Sequence, residues 1–531
     1  MKPSSVGSQN ACLEENYQVF QSLIAKSKTY LLKGQYHYSA ALAEIAAYYA
    51  TWKHNGLFSS YELEEILHLL AKQTIQIENP PVKNTSDVKR VLHITSMVAG
   101  QAGLQHLLQR WIENDSSRCH SVAVSQPSIS PVPEKLQSLV AASRGSIELV
   151  GNNYKRILER AQRLRKLATE ADLIILHLQT EDVAPIIGLS QKTGMPPILL
   201  VNHADHCFWI GVTVVDLIVN LRTSGLILCQ ERRGIEPERL VLLPTPLTPV
   251  KRTLSQPEAK RRLGLSEDAV LLVSIARAPK YRPWNNINFP LDHVPLLQQH
   301  PNCFLFVVGP EHDKNWEYAS QQTGGRIKAF GIRSDVSLFF QSADIYVDAF
   351  PMVSITSLLE AGSYGIPLVS YSLFSAKQAV WRADAPGIDQ YLIRCQNINE
   401  YRNKLSLLVE NAELRSKLGW NIQEDITRLH IGESWLESVD TLYERAKTIS
   451  RKSDTFFFSS QRNISELDLV TPQILKDYRT IERLFYDYRH LLPRNWLHLR
   501  VRLRIWMIVV LQKLGLKQQI QNLLGILNRQ E

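Results

Sequence analysis

The sequence predicts an α/β protein built from two doubly wound, parallel-sheet domains in tandem, with a helical region before them and a helical tail after them. Three observations carry this. Short apolar runs alternate with helical stretches from Val88 to about residue 450. The alternation restarts after a proline-rich segment at 244–257. Outside these limits the apolar residues recur at helical spacing.

The bounds set by composition agree. At 531 residues the chain exceeds what one core supports, so two or three domains are expected. Its hydrophobic fraction, 44%, is that of a globular protein. Six cysteines, at 12, 119, 207, 229, 303 and 395, form no CxxC pair or compact framework, which predicts free thiols in a reducing, cytoplasmic compartment. The N-terminal stretch MKPSSVGSQNACLEENYQVF has no apolar leader segment, and no run is long enough to span a bilayer. The net charge of +9 is uneven: seven Lys and Arg after residue 493 face the single acid Glu531. The basic character therefore belongs to the tail. It carries no nucleic-acid-binding motif, so nucleic acid is not an expected partner.

Taken in order, residues 1–80 read as helices. A turn falls at Lys33-Gly34-Gln35, and Ser59-Ser60 reads as the cap of a third helix beginning YELEEILHLL. The stretch LLKGQYHYSAALAEIAAYYA resembles one tetratricopeptide-like helix pair, without a second copy at that period. Residues 77–87 are a linker. In the first sheet domain, 88–245, strands are predicted at 90–96, 120–126, 146–150, 173–178 and 197–203, and the stretch LVLLPTPLTPV (240–250) ends the unit. Helices at 104–112 and 156–170 lie between them. In the second, 255–450, strands are predicted at 270–276, 304–309, 327–331, 344–350 and 367–371. Residues 451–531 comprise a polar connector and a basic amphipathic helical tail.

Ligands on doubly wound sheets bind beyond the carboxyl ends of the strands, so the loops after strands are where chemistry is expected. The stretch DIYVDAFPMVSITSLLEAGSYGIPLVSY places Ser354, Thr356 and Ser357 at a helix start and Glu360 one turn further in. Free N–H groups, hydroxyls and the helix dipole suit phosphate oxygens, although Ser and Thr also serve as ordinary caps. A carboxylate inside the apolar run SLLEAG needs a partner, such as a ribose or sugar hydroxyl pair. In SIARAPKYRP, Arg277 and Lys280 follow the first strand of the second domain, within reach of the same anion.

These segments resemble the donor-binding domain of GT-B glycosyltransferases. They are most similar to the large retaining family that includes glycogen synthase, sucrose synthase and many bacterial envelope transferases. The resemblance covers about residues 88–450. It implies that Arg277 and Lys280 hold the donor diphosphate, that Ser354, Thr356 and Ser357 contact sugar and phosphate, that Glu360 binds ribose, and that the nucleotide base lies near Gly331, Ile332 and Arg333. The sequence departs from that family's Glu-x7-Glu motif, with Met352 where the first Glu belongs. Its Ser/Thr-rich loop is closer to the inverting O-GlcNAc transferase type, so the anomeric outcome stays open. The implied substrate is a nucleotide sugar. No further cofactor and no metal are expected, because fixed cations take the place of a DxD-bound ion.

The first domain offers two more constellations. Gly100 and Gly103 lie between its first strand and helix, where the resemblance implies backbone close to donor phosphate or acceptor; a tight turn is the plain alternative. VNHADHCFW places His203, Asp205 and His206 in a strand-end loop, with His177 ending the neighbouring strand. An imidazole there suits the base that takes a proton from an acceptor hydroxyl. Arg222, Arg232 and Arg233 read as solvated, with contact to an anionic acceptor as the alternative, and EHDKNW (311–316) reads as surface or pocket lining. The sequence thus predicts a glycosyltransferase acting on a glycan, lipid or protein acceptor. Two alternatives are a sugar-nucleotide epimerase and a non-catalytic interaction protein that binds through its N-terminal helices. The segment 494–517 fits packing on the sheet domains, or peripheral contact with the inner face of an anionic membrane.

Overall fold

The computed structural model describes residues 3–77, 87–98, 103–128, 130–449, 462–475 and 480–493, with residues 3–8 as backbone only. Three helices come first: α1 (Pro3–Leu32), α2 (Tyr36–Trp52) and α3 (Tyr61–Thr74). Gly34, at φ +69°, turns the chain between α1 and α2. Ser60 caps α3 by accepting from the Leu63 N–H at 3.3 Å.

These helices form one core with the first sheet domain. The alanine-rich α2 is buried along most of its length. Its Thr51 hydroxyl bonds Thr180 Oγ1 at 2.9 Å and the Phe208 carbonyl at 3.1 Å. The Glu64 carboxylate of α3 accepts from the N–H groups of Gly211, Val212 and Thr213 at 2.7–2.9 Å. A buried carboxylate is stable where its oxygens are this fully satisfied.

The first sheet is entirely parallel, with strands β1 (Arg90–Thr95), β2 (Cys119–Val124), β3 (Ile147–Glu148), β4 (Leu173–His177), β5 (Ile198–Asn202), β6 (Leu217–Asn220) and β7 (Leu240–Leu242). Their spatial order is β3-β2-β1-β4-β5-β6-β7. The helix after β1, α4 (Gly103–Asn114), starts at the cleft end of the sheet. The second sheet has β8 (Val270–Ile275), β9 (Cys303–Val308), β10 (Ile327–Ala329), β11 (Ile345–Val347), β12 (Leu368–Tyr371) and β13 (Ile393–Cys395), in the order β10-β9-β8-β11-β12-β13. Both orders reverse direction beside the first strand, so the switch points fall between β1 and β4 and between β8 and β11.

The strands β6 and β13 were not anticipated. They are four and three residues long, too short for a periodic signal. One helix crosses between domains. Gly432–Thr448 follows the second sheet in sequence but buries Trp435, Val439, Leu442 and Tyr443 against β1, β4 and Trp111 of the first. The chain therefore returns to the first domain through this helix. The tail that sequence reasoning considered for this packing role lies outside the described residues.

Candidate active site

The loops after β8 and β11 flank the switch point of the second sheet. Arg277 is exposed and forms no ion pair with a described residue. It is placed there by Gly309 at the end of β9: at φ +120°, a Cβ on Gly309 would lie 1.8 Å from the Ala276 carbonyl oxygen. Lys280 points back under the same opening and donates from Nζ to the Val353 carbonyl at 2.6 Å. Burial, with Arg277 and Arg222 nearby, pushes its ammonium down to about 8, against the opposing pull of Asp348.

Asp348 is fully buried at the end of β11. It accepts from the N–H groups of Ala349 and Ser354 at 2.8 and 2.9 Å, and burial raises its carboxyl to about 6. It thus ties the loop to the start of the helix Ile355–Ser363. Ser354 occupies the cap position, yet its hydroxyl bonds Ser357 Oγ at 3.2 Å and does not cap the backbone. The first-turn N–H groups keep the positive end of the helix dipole open, with Lys280 anchored one residue before the cap. Arg277 and Lys280 are neighbours, Lys280 is tied to the residue before the helix start that carries Ser354 and Ser357, and Thr356 lies half-buried on the same first turn.

Glu360 is not a free ligand. Arg110, from α4 of the first domain, reaches across and pairs with it; the two side chains are 15% and 30% exposed. Sequence reasoning missed Arg110, because nothing local marks a residue whose partner lies 250 positions away. Gly331 turns at φ +64°, and Ile332 is 80% exposed beside it. Arg333 pairs with its neighbour Asp335 at 2.7 Å. Trp316, read as surface or pocket lining, is a core residue packed on Tyr281 and Phe289.

Across the cleft, the three residues after β5 divide. His203 is half-buried, and its Nε2–H donates to the Leu178 carbonyl at 2.8 Å. Burial lowers its basicity and keeps the ring neutral. Asp205 is committed elsewhere: its carboxylate takes a bidentate pair from Arg222 at 2.7 and 2.8 Å, which outweighs burial and keeps it ionised. Burial opposes the charge on His206, but Cys207 and Asp205 outweigh it and raise the imidazole to about 9. His206 also packs on Trp381, ring centroids 5.0 Å apart. Of the three, His203 is neutral and outside the ion pairs; the oxygens of Asp205 are taken by Arg222, and His206 is cationic.

The arginines expected to be solvated are not. Arg222 also bonds the Val380 and Arg382 carbonyls and Asp384, all in the second domain, so Asp205 and Arg222 form an interdomain joint. Arg233 is fully buried and donates to the Asp205 and Cys207 carbonyls. Arg232 pairs with Asp468, which also bonds His54 at 2.8 Å. Helical spacing cannot show these partners, since each lies on another element.

His177 is withdrawn from the cleft by burial. Its Nε2 bonds His93 Nδ1 at 3.0 Å, and His93 Nε2 bonds His120 Nδ1 at 2.9 Å. His120 Nε2 in turn lies 2.6 Å from the Asp115 carbonyl. The three rings cross the sheet diagonally through β4, β1 and β2, all fully buried. A carbonyl only accepts, so His120 carries its proton on Nε2, and each ring in turn must donate from Nε2. His177 Nδ1 is left as a bare acceptor with no partner among the described residues. Burial and His203 push His177 down to about 3. Its role is in the sheet, not at an acceptor hydroxyl.

Gly103 opens α4, and a Cβ there would meet nothing described within 4 Å. Gly100 and the segment 494–517 lie outside the described residues. Among the described residues no group of three or more His, Cys, Asp or Glu could hold a metal ion, and no helix is long and apolar enough to cross a membrane.

Two facing doubly wound domains are the GT-B architecture. Residues 255–425 match the family model described as Glycosyl transferases group 1, which covers the second sheet domain and leaves the first unmatched. Among solved structures, Anabaena Alr3699/HepE in complex with UDP and glucose is similar at 14% identity, over 68% of this chain and 100% of that one, with a TM-score of 0.51. A glycosyltransferase from Rickettsia africae ESF-5 is similar at 10% identity over the same shares, with a TM-score of 0.52. At these identities the likeness is one of fold. No curated protein sequence matches the chain.

Proposed function

We propose that the protein is a glycosyltransferase that takes a sugar from a nucleoside-diphosphate donor held at the β8–β11 switch point and passes it to an acceptor hydroxyl or amide. The observation that carries this is the convergence of Arg277 and Lys280 on the uncapped start of the Ile355–Ser363 helix, within the group 1 glycosyl transferase match. The bond between the anomeric carbon and the diphosphate oxygen breaks, and the acceptor oxygen or nitrogen bonds the anomeric carbon. Charge grows on the departing diphosphate, where two fixed cations and the helix dipole stabilise it. Ser354, Thr356 and Ser357 supply hydroxyls to phosphate or sugar. Glu360 binds ribose once Arg110 is displaced. The base lies against Gly331 and Ile332, with the Arg333–Asp335 pair beside it.

His203, neutral and half-buried, takes the acceptor proton, and a direct displacement with this base inverts the anomeric centre. Met352, at the position of the retaining family's first Glu, packs on the apolar cluster that includes Phe374 and Trp381 and offers no carboxylate. The test is transfer by Arg277→Ala and Lys280→Ala beside the wild type, with circular dichroism confirming the fold. Loss of transfer in both supports the donor site; unchanged turnover in either removes it. Determination of the product anomer decides His203: a retained centre would pass the proton to the leaving phosphate instead.

A further inference from the structure

A cavity of about 1250 Å³ lies apart from the interdomain cleft. Its walls are the α1–α2 turn at 34–38, the end of α3, the stretch 154–166 and residues 489–492; no residue of the second sheet domain lines it. Its chemistry is uneven. Arg156 and Lys166 are exposed and unpaired among the described residues, and Arg489 lies over the Tyr486 ring without a carboxylate partner. Against these three cations stands one unneutralised acid, Glu159; Arg163 is already matched by Glu148 in a bidentate pair.

One further feature adds to this positive field, and a second responds to it. The helix Ile157–Ala168 opens into the cavity with Arg156 in the cap position and no side-chain cap, so first-turn N–H groups face the same space. His37, on the opposite wall, is held below its ordinary value by burial and then by Arg156. Three half-buried tyrosines, Tyr36, Tyr38 and Tyr154, line the cavity between the cations.

A small anion has no use for tyrosine faces, and a neutral sugar has no use for three cations. A pyranose packs its C–H face on an aromatic ring, and carboxylate or phosphate substituents pair with Arg and Lys. The volume exceeds that of a drug-sized pocket and suits several linked units. We propose that this cavity docks an acidic oligosaccharide, the non-reacting part of the acceptor glycan, with its rings on the tyrosines and its anionic groups on Arg156, Lys166 and Arg489. The acceptor role rests on the transferase reading; the docking itself does not.

The experiment is calorimetric titration of the full chain with a galacturonic acid hexamer, beside maltohexaose, inorganic phosphate, a thymidylate hexamer and phosphatidylglycerol vesicles. Wild type binds the acidic hexamer more tightly than the other four, and added salt weakens that binding. The double variant Arg156→Glu/Lys166→Glu, changed at two exposed positions, loses at least tenfold in affinity, and Tyr154→Ala also weakens it. Arg277→Ala leaves it unchanged. Equal binding of maltohexaose, or affinity indifferent to these substitutions, would overturn the proposal. So would equal or tighter binding of phosphate, thymidylate or vesicles, each pointing to a different ligand. Nucleotide release from a donor sugar, measured on the same double variant, separates the two readings: it survives if only the docking site is lost. Hexamer binding in a wild type that releases no nucleotide from any donor would remove the transferase reading and leave the docking site standing.

Discussion

The histidine chain through β4, β1 and β2 should make the first domain acid-sensitive in a way that one substitution exposes. All three rings are fully buried and each is held below its ordinary value by burial. An unfolded histidine titrates near 6.5, and His177 in the fold near 3. The folded value is the lower one, so the neutral ring's contribution is complete above about pH 6.5 and fades as pH falls toward 3. At roughly 1.4 kcal/mol per pH unit, His177 alone withdraws about 2 kcal/mol by pH 5 and about 5 kcal/mol by pH 3. His93 and His120 act in the same direction. A domain stable by about 5–15 kcal/mol cannot absorb much of this. The assay is urea unfolding followed by near-ultraviolet circular dichroism, from about pH 8 to pH 4.5, for wild type and His177→Gln. The variant should show a stability slope shallower by roughly 1.4 kcal/mol per pH unit below pH 6. Identical slopes would refute the reasoning. If the variant does not fold, nitrogen NMR of histidine-labelled wild type decides: the His177 and His93 rings should stay neutral and Nε2-protonated at pH 5, and protonated rings there would refute it equally.

Three other outcomes follow from the site. Lys280, near 8, must be charged to hold a diphosphate, so UDP affinity should fall by up to tenfold per unit as pH rises above about 8, and Lys280→Ala should abolish that dependence; a pH-independent affinity in wild type would contradict the assignment. Arg110→Ala releases Glu360 from a partly exposed pair of about 0.2–1 kcal/mol, so nucleotide should bind up to about fivefold tighter; weaker binding would make Arg110 a donor ligand. Arg222→Leu takes the bidentate guanidinium from buried Asp205, leaving it only His206 at 3.3 Å, and unpairs Asp384, at a cost of about 3–5 kcal/mol; an unchanged urea midpoint would show that the interdomain joint contributes nothing.

Much of this architecture was legible because local patterns encode it. Runs such as LIILHL and FLFVVG are buried on both faces of a parallel sheet, so they read as strands without knowledge of their neighbours. The position of the loops carrying Arg277, Lys280 and Ser354–Ser357 was legible because a switch point selects the loops that follow particular strands. What escaped depends on distant partners. His177 carries the same letter in a catalytic loop and in a buried chain; only the packing of β1 and β2 against β4 separates them. Arg222 and Arg233 looked solvated because arginine usually is, and their carbonyl partners belong to elements that sequence cannot align. The strands β6 and β13 fell below the length at which alternation is visible. The return of Gly432–Thr448 to the first domain was hidden because an amphipathic helix declares a buried face but not what covers it.

The most direct measurement is the release of free nucleoside diphosphate from UDP-, GDP-, ADP- and dTDP-sugars, wild type beside Arg277→Ala. Slow release from one donor, lost in the variant, is the expected result, and it would identify nucleotide and sugar before any acceptor is known. No release from any donor, with no thermal stabilisation by any nucleotide, would contradict a donor site between β8 and β11.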